Sequence, residues 1–294
     1  MGFTSIDDFI NEITNNGKKI RCDWNKITGA AAYAANRWYD LSGLGGIPVA
    51  NSFPGAALGW VGCDDLSGNG TDIFGIQHGG NVSPDTKHLL NMMAVTGVAT
   101  GVPSVLMLCD MQGYYPGINM HSNALQTLTG VPSLRYGNGN GVRAFLTARA
   151  TIGSTAHNLA YNYNNQAGAA KANPLTVACT ASAIVPHILH SGSAANNYGP
   201  FLPLAGGDTG IQKVNTVQLS AASGTASTAA LVLTVPIMTL PLTTLAVAAE
   251  RDLFNQFPSL PQIKDGACLH WLLFTGANVA ANSNFYGALE KGWG

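Results

Sequence analysis

Asp208-Thr209-Gly210 is the tripeptide with which two facing loops present paired carboxylates that share a proton and activate water for peptide hydrolysis. The chain carries it once, so the second carboxylate would have to come from another copy. Gly206-Gly207 stand where that chemistry needs an apolar strand, and the spacing predicts a Gly-Gly-Asp turn. Asp65, Ser67, Asn69 and Gly70 fall at positions 1, 3, 5 and 6 of a calcium-loop pattern, with Asp72 just beyond. Position 12 is Ile76, where a bidentate acid is required, so the stretch reads as an Asx-rich turn. His187 and His190 would share a face on a helix, but Ala183-Ile184-Val185-Pro186 ahead of them predicts extended chain, on which i and i+3 diverge. They read as hydrogen-bonded core or interface groups rather than as metal ligands.

Other chemistries lack their signatures. There is no Gly-x-Ser-x-Gly elbow, no phosphate loop and no His-Glu-x-x-His helix. Trp24, Trp38, Trp60, Trp271 and Trp293, with Tyr114-Tyr115 and Tyr161-Asn162-Tyr163, have the ring content of a sugar-binding platform. Core and interface anchoring is the commoner use of such rings. No catalytic, cofactor-binding or metal-ligating residue is therefore assigned, and the chain reads as a non-enzyme with no small-molecule substrate.

The elements that position these residues follow from an uneven charge distribution. From Ala150 to Ala249 the charged side chains are Lys171, Asp208 and Lys213 alone, where an ordinary domain carries about 25 in that length. Ser, Thr, Asn and Gly are interleaved with Ala, Val and Leu throughout, as in NTVQLSAASGTASTAALVLTV. Such a stretch predicts surface that is covered when copies or partners meet. The formal net charge of -1 and pI near 6.6 supply no field that would steer the chain to nucleic acid or an anionic membrane. They also leave little self-repulsion to oppose dense packing of copies. Cys22, Cys63, Cys109, Cys179 and Cys268 are widely spaced and read as buried free thiols of a reducing compartment. The opening Met-Gly-Phe-Thr-Ser-Ile-Asp-Asp is acidic where a secretory leader would be basic, so synthesis in a cytoplasm is expected and the sequons at Asn69 and Asn81 carry little weight. Ala229 to Ala249 is uncharged and long enough to cross a bilayer as a helix. Pro236, Pro241 and the β-branched pattern ALVLTVPIMTLPLTT predict extended structure instead.

Ile6, Phe9, Ile10 and Ile13 fall on one face of a short helix that Thr4 or Ser5 can cap and Asn15-Asn16-Gly17 ends. Eight charged residues lie between positions 7 and 26, so this end suits either an arm docked on a neighbour or a helix packed on its own domain. Alanine content predicts a second helix over 30–39, and Ser83-Pro84 ahead of Leu89, Leu90, Met93 and Ala94 predicts a third ending at Gly97. Beyond Gly97 the pattern becomes short apolar runs broken by turn residues: VPSVLMLCDM, GVRAFLTARATI, HNLAYNYN, PLTVACTASAIV, KVNTVQLSA, STAALVLTVPI and CLHWLLFTG. Gly137–Gly141 and Asn164–Gly168 offer the positive-φ positions that strand ends require. The expected fold is mainly β with minority helices (α+β): a β-sandwich or jelly-roll-like domain with an N-terminal helical and loop region. The expected division is a helical arm and Gly/Pro-rich loops over 1–97, a β-rich assembly domain over 98–250 and a C-terminal docking segment over 251–294.

Gly-rich turns and Ala-, Asn- and Thr-rich strands recur in GLGGIPVANSFPG, GVPSVLMLCDMQGYYPGI, RYGNGNGVRAFLTA, NYGPFLPLAGGDTGI and DGACLHWLLF. In these segments the chain resembles virion structural proteins of tailed bacteriophages. The resemblance is one of style along most of the chain and carries no functional residue across. It implies a head-shell, cement or decoration, connector or tail component, located in the virion after synthesis in the host cytoplasm. Its partners would be copies of itself and other virion proteins, without cofactor, metal, specific nucleic acid or membrane. The usual tailed-phage shell subunit has a long charged spine helix, and none is predicted here, which favours a mainly β shell, cement or tail component. A carbohydrate-binding or depolymerising tail protein is the alternative.

Overall fold

The structure, a computed structural model, describes residues 2–66, 75–192, 199–256 and 260–294. Strands dominate it. The first are β1 Lys19–Ile27, β2 Arg37–Asp40, β3 Gly46–Ile47, β4 Val61–Gly62, β5 Lys87–Thr96 and β6 Ser104–Asn119. They are followed by β7 Gln126–Thr127, β8 Arg143–Ala148, β9 His157–Asn165, β10 Ala170–Cys179 and β11 Ile211–Leu219. The last are β12 Thr228–Leu242, β13 Ala249–Asp252, β14 Gln262–Ile263, β15 Leu269–Thr275 and β16 Asn284–Trp293. Two short helices, α1 Ile6–Ile10 and α2 Leu253–Gln256, accompany them, and no helix among the described residues is long and apolar enough to cross a membrane.

The strands form three antiparallel sheets, in the orders β2-β15-β6-β12-β8, β10-β9-β11-β7 and β13-β5-β16-β1-β3, with β4 also paired to β6 and β14 to β5. The fold is thus mainly β, packed sheet on sheet. Its spine is the pair β6–β12, two strands of 16 and 15 residues. Leu231 and Leu233 of β12 enter a core shared with Leu159, Tyr161, Tyr163, Val214 and Val217 of the four-stranded sheet. Leu240 and Leu242, farther along β12, enter a second core shared with Trp24, Leu89, Met92, Phe285 and Leu289 of the third sheet. Side chains alternate across a strand. Ala230, Val232 and Leu272 accordingly face the other side of the spine sheet, where Phe53, Ile188 and Phe201 cover them. Two sheets therefore lie side by side on one face of the spine, and loop segments close the other.

This packing accounts for much of the charge poverty between 150 and 249. Most of the described apolar residues of that stretch are buried within the chain's own cores, although Leu245 and Val247 are exposed. The seven apolar runs read as strands are β6, β8, β9, β10, β11, β12 and β15. Ala229 to Leu242 is extended, as its prolines and β-branched residues predicted.

Two predicted helices are not helices. The stretch 30–39 is irregular chain leading into β2: Tyr33 bridges Val279, the Tyr33 and Tyr39 rings stack at 4.0 Å, and the Tyr39 hydroxyl accepts from the Ala34 N–H at 2.9 Å. Pairing with β15 outweighs the helix propensity of alanine, worth only tenths of a kcal/mol per residue (about 0.7 at most). The stretch from Ser83 to Gly97 contains β5, which lies between β16 and β13. Leu89, Met92 and Ala94 are fully buried and Leu90 nearly so. Leu90 is the extra residue of a bulge where pairing with β16 shifts register, so the apolar positions break the period of two and fall at spacings that mimic a helix.

The expected boundaries are crossed by strand pairing. The third sheet draws β1 and β5 from 1–97 and β16 from 251–294, and β16 lies between the other two. The C-terminal stretch expected to dock outward thus supplies interior strands. The N-terminal segment also packs on its own chain. Ser5 Oγ accepts from the Asp8 N–H at 3.0 Å, the Phe9 ring stacks on Phe254 at 4.6 Å, and Lys18 pairs with Glu12 at 2.7 Å and Asp85 at 2.8 Å.

Candidate functional site

The alternation HNLAYNYNN in β9 fixes the character of the four-stranded sheet. His157, Leu159, Tyr161 and Tyr163 point to the core, and Asn158, Ala160, Asn162 and Asn164 point away from it. Register sets Ala170, Ala172 and Ala178 of β10 opposite Asn164, Asn162 and Asn158, and Thr216 and Gln218 of β11 opposite Asn162 and Ala160. Asn215 is the extra residue of a bulge in β11, and its Nδ2 donates to Asn162 Oδ1 at 2.9 Å and Asn164 Oδ1 at 2.8 Å. The outer face is consequently a layer of amides, hydroxyls and methyl groups. Of the charged residues in these four strands, Lys213 is opposite Asn164 on this face and Lys171 is opposite Tyr163.

The borders of this face have their own chemistry. Pro174 lies in the edge strand β10 and has no N–H to donate, and the register shifts between Asn173 and Val177. The opposite edge, β7, is two residues long. Both features discourage addition of a further strand. Beside β7, Leu125 and Val131 are 59% and 82% exposed. A cavity of about 420 Å³ opens there, lined by Val131, Leu134, Tyr136, Asn164, Gln212 and Lys213.

Asp208 is a structural turn residue. Its Oδ2 accepts from the Tyr163 hydroxyl at 2.6 Å and its Oδ1 from Asn165 Nδ2 at 2.7 Å, and these two bonds hold its pKa below the usual carboxylate value. Thr209 is tied by its N–H to Gln166 Oε1 at 3.0 Å and by its hydroxyl to Asn140 Oδ1 at 2.8 Å. Asp208→Ala is expected to leave the fold intact but to lower the thermal midpoint, because the buried Tyr163 hydroxyl loses its acceptor. Asp208→Asn, which keeps an acceptor, should recover part of the loss, and equal midpoints for wild type and Asp208→Ala would contradict this role.

His187 and His190 are both fully buried and turn to different partners. His187 Nε2 lies 3.3 Å from Ser191 Oγ, and His190 Nε2 lies 3.2 Å from the Pro200 carbonyl oxygen. Burial pushes their pKa values down to about 3 and about 4. The calcium-loop pattern falls mainly on 67–74, outside the described residues, as does the Asn69 sequon; the buried Asp65 offers its backbone oxygen to His78 Nε2 at 2.6 Å. Of the rings named for an aromatic platform, Trp24, Trp271, Tyr114, Tyr115, Tyr161 and Tyr163 are core residues, and Trp38, Trp60 and Trp293 are half-buried.

Sequence reasoning missed the buried charges. Asp110, fully buried, receives Arg135 through Nη2 at 2.5 Å and Nε at 3.3 Å, and the Cys268 N–H at 3.0 Å. Arg135 also donates to Asp64 Oδ1 at 2.6 Å and to the Cys63 and Met111 carbonyl oxygens. Burial opposes its charge, but Asp110 more than offsets this and the guanidinium pKa is raised. Elsewhere Asp40, His270 and Thr234 stand in file, with Asp40 Oδ1 3.5 Å from His270 Nδ1 and His270 Nε2 3.0 Å from Thr234 Oγ1. That is the order of an acyl-transfer triad. All three are sealed in the core at 0, 2 and 0% exposure.

No family model matches the chain, and no curated protein does. Among solved structures it is similar to the D431N mutant VP2 protein of infectious bursal disease virus in derived T=1 particles. That similarity spans 97% of this chain and 82% of the other, at 8% sequence identity and a TM-score of 0.21.

Proposed function

We propose that this chain is a non-enzymatic structural subunit of a bacteriophage virion, assembling as a shell, cement or tail component through the outer face of its four-stranded sheet. That face carries the reading. It is broad, built of neutral amides and methyl groups, marked by the one charge of Lys213, and bordered by the exposed Leu125 and Val131. Covering it requires little desolvation of charge, and amides offer both donors and acceptors to a facing copy. The blunted edges of the sheet favour contact through the face rather than strand addition. The sequence resemblance to virion structural proteins supports the same reading.

The test is the mass of the purified chain in solution by light scattering. The wild type is expected to form a concentration-dependent oligomer. Ala160→Glu/Ala172→Glu/Thr216→Glu, one change on each of three strands, is expected to return it to 30.5 kDa with an unchanged circular dichroism spectrum. A wild type that stays at 30.5 kDa at high concentration, or a triple variant that assembles like it, would remove the reading. Copy number from mass spectrometry of virions then separates shell or cement from connector or tail.

The alternative, a carbohydrate-binding or depolymerising tail protein, has lost most of its rings to the core. What favours it is the cavity beside β7, where Tyr136 stands with Asn138, Asn164 and Gln212. Binding on a glycan array that Asn164→Ala abolishes would support it.

A further inference from the structure

Cys63 and Cys268, far apart in sequence, meet at the junction of two strands. β12 occupies one side of β6 along its length, while β15 and β4 share the other side end to end. The Cys63 N–H donates to the Gln112 carbonyl oxygen at 3.1 Å, and the Cys268 carbonyl oxygen accepts from the Met111 N–H at 2.9 Å. The two cysteines therefore stand opposite consecutive residues of β6, and their thiols are hydrogen-bonded to each other. Each is 2% exposed, and both belong to the core that covers the outer face of the spine sheet. Gly75 packs against Cys268 so closely that a β-carbon there would lie 3.3 Å from its sulfur. Arg135 holds the other side through the Cys63 carbonyl oxygen and Asp64.

We propose that Cys63 and Cys268 form a latent disulfide, closed by thiol–disulfide exchange with a dialkyl disulfide such as oxidised glutathione. One cysteine thiolate attacks a reagent sulfur, breaks its S–S bond and releases one thiol. The second cysteine thiolate then attacks the protein sulfur of the mixed disulfide and releases the other thiol. Two electrons and two protons pass from the cysteines to the two released thiols. The new bond would staple β4 to the start of β15 and so fasten the loop region before β5 to the C-terminal strands. The hydrogen bond with Cys63, and then burial, raise the Cys268 thiol pKa, so exchange should be slow at neutral pH and faster in mild alkali. The inference stands apart from the assembly reading, since it concerns contacts within one chain.

The experiment incubates the folded full chain with oxidised glutathione, quenches it with iodoacetamide and maps peptides without reduction. The expected product is one cross-link, between Cys63 and Cys268, reversed by dithiothreitol. It should raise the thermal midpoint by about 5 °C through restriction of the unfolded chain. Cys109→Ser, which alters the third cysteine of the same core, should leave the cross-link intact, and Cys63→Ser should abolish it. A persistent glutathione adduct on either residue, a cross-link to Cys109, or a pair that stays reduced until the protein unfolds would each overturn the proposal. These results come from the wild-type chain, so they hold even where a serine variant fails to fold.

Discussion

Arg135→Ala is expected to cost about 3–5 kcal/mol of stability. The reason lies in what it leaves behind. Asp110 is fully buried, and its Oδ1 and Oδ2 lose the Arg135 bonds at 2.5 and 3.3 Å, keeping the Cys268 N–H and the Tyr136 hydroxyl. A buried carboxylate left with neutral donors and no cation is poorly compensated for its lost hydration, which disrupts the β6–β15 junction. The carbonyl oxygens of Cys63 and Met111 lose a donor at the same time. Equilibrium unfolding in urea measures the cost. Arg135→Met combined with Asp110→Leu should recover much of it, because replacing both ions removes the unpaired charge. A loss below about 1 kcal/mol for Arg135→Ala would mean that the pair is not sealed from water.

Acidification between pH 6.5 and 4 is expected to destabilise the fold steeply, through His187 and His190. In the unfolded chain both titrate near pH 6.5, whereas burial lowers them to about 3 and about 4 in the folded state. Above pH 6.5 both states hold them neutral and no linkage arises. Below it the unfolded chain binds two protons that the folded chain refuses, so stability falls by about 1.4 kcal/mol per pH unit for each histidine. The fall ends as pH passes the folded values. By then the loss is of the order of several kcal/mol, comparable to the whole stability of a typical domain. His78 and His88, also lowered mainly by burial, add to it. Thermal melts from pH 8 to pH 4 read the effect, and His187→Gln/His190→Gln should flatten the acid limb. Wild-type midpoints that do not change from pH 7 to 4.5 would refute the argument.

The β-rich part of the fold was legible because its strands advertise themselves. HNLAYNYNN alternates with period two, and runs such as STAALVLTVPI are bounded by turn residues. The same alternation marks the amide face, since every second residue of β9 is an asparagine or alanine turned from the core. What sequence does not reveal is partnership at long range. β5 reads as a helix because the strands that pair with it come from 249–252 and 284–293, and because its bulge at Leu90 breaks the alternation. Lys26, Lys87 and Lys291 look like surface charges, yet each is buried with its ammonium on backbone carbonyl oxygens: Leu44 and Pro48 for Lys26, Gly80 for Lys87 and Gln77 for Lys291. Arg135 and Asp110 carry no local signal either, because a strand residue and a loop residue 25 positions apart meet only once β4 and β15 are laid on β6.

The position of β16 has a consequence for timing on the ribosome. β1 and β5 are made early, but neither pairs with the other, and the strand that joins them emerges after the other described strands. Until it arrives, the inner residues Trp24, Leu89 and Met92 have no finished layer to belong to. Closure is then a late, non-local event of the kind that makes β proteins slow to fold and exposed to association while they wait. A nascent chain halted before Asn284 would hold two strands without the partner that unites them, a natural target for chaperones and for quality control.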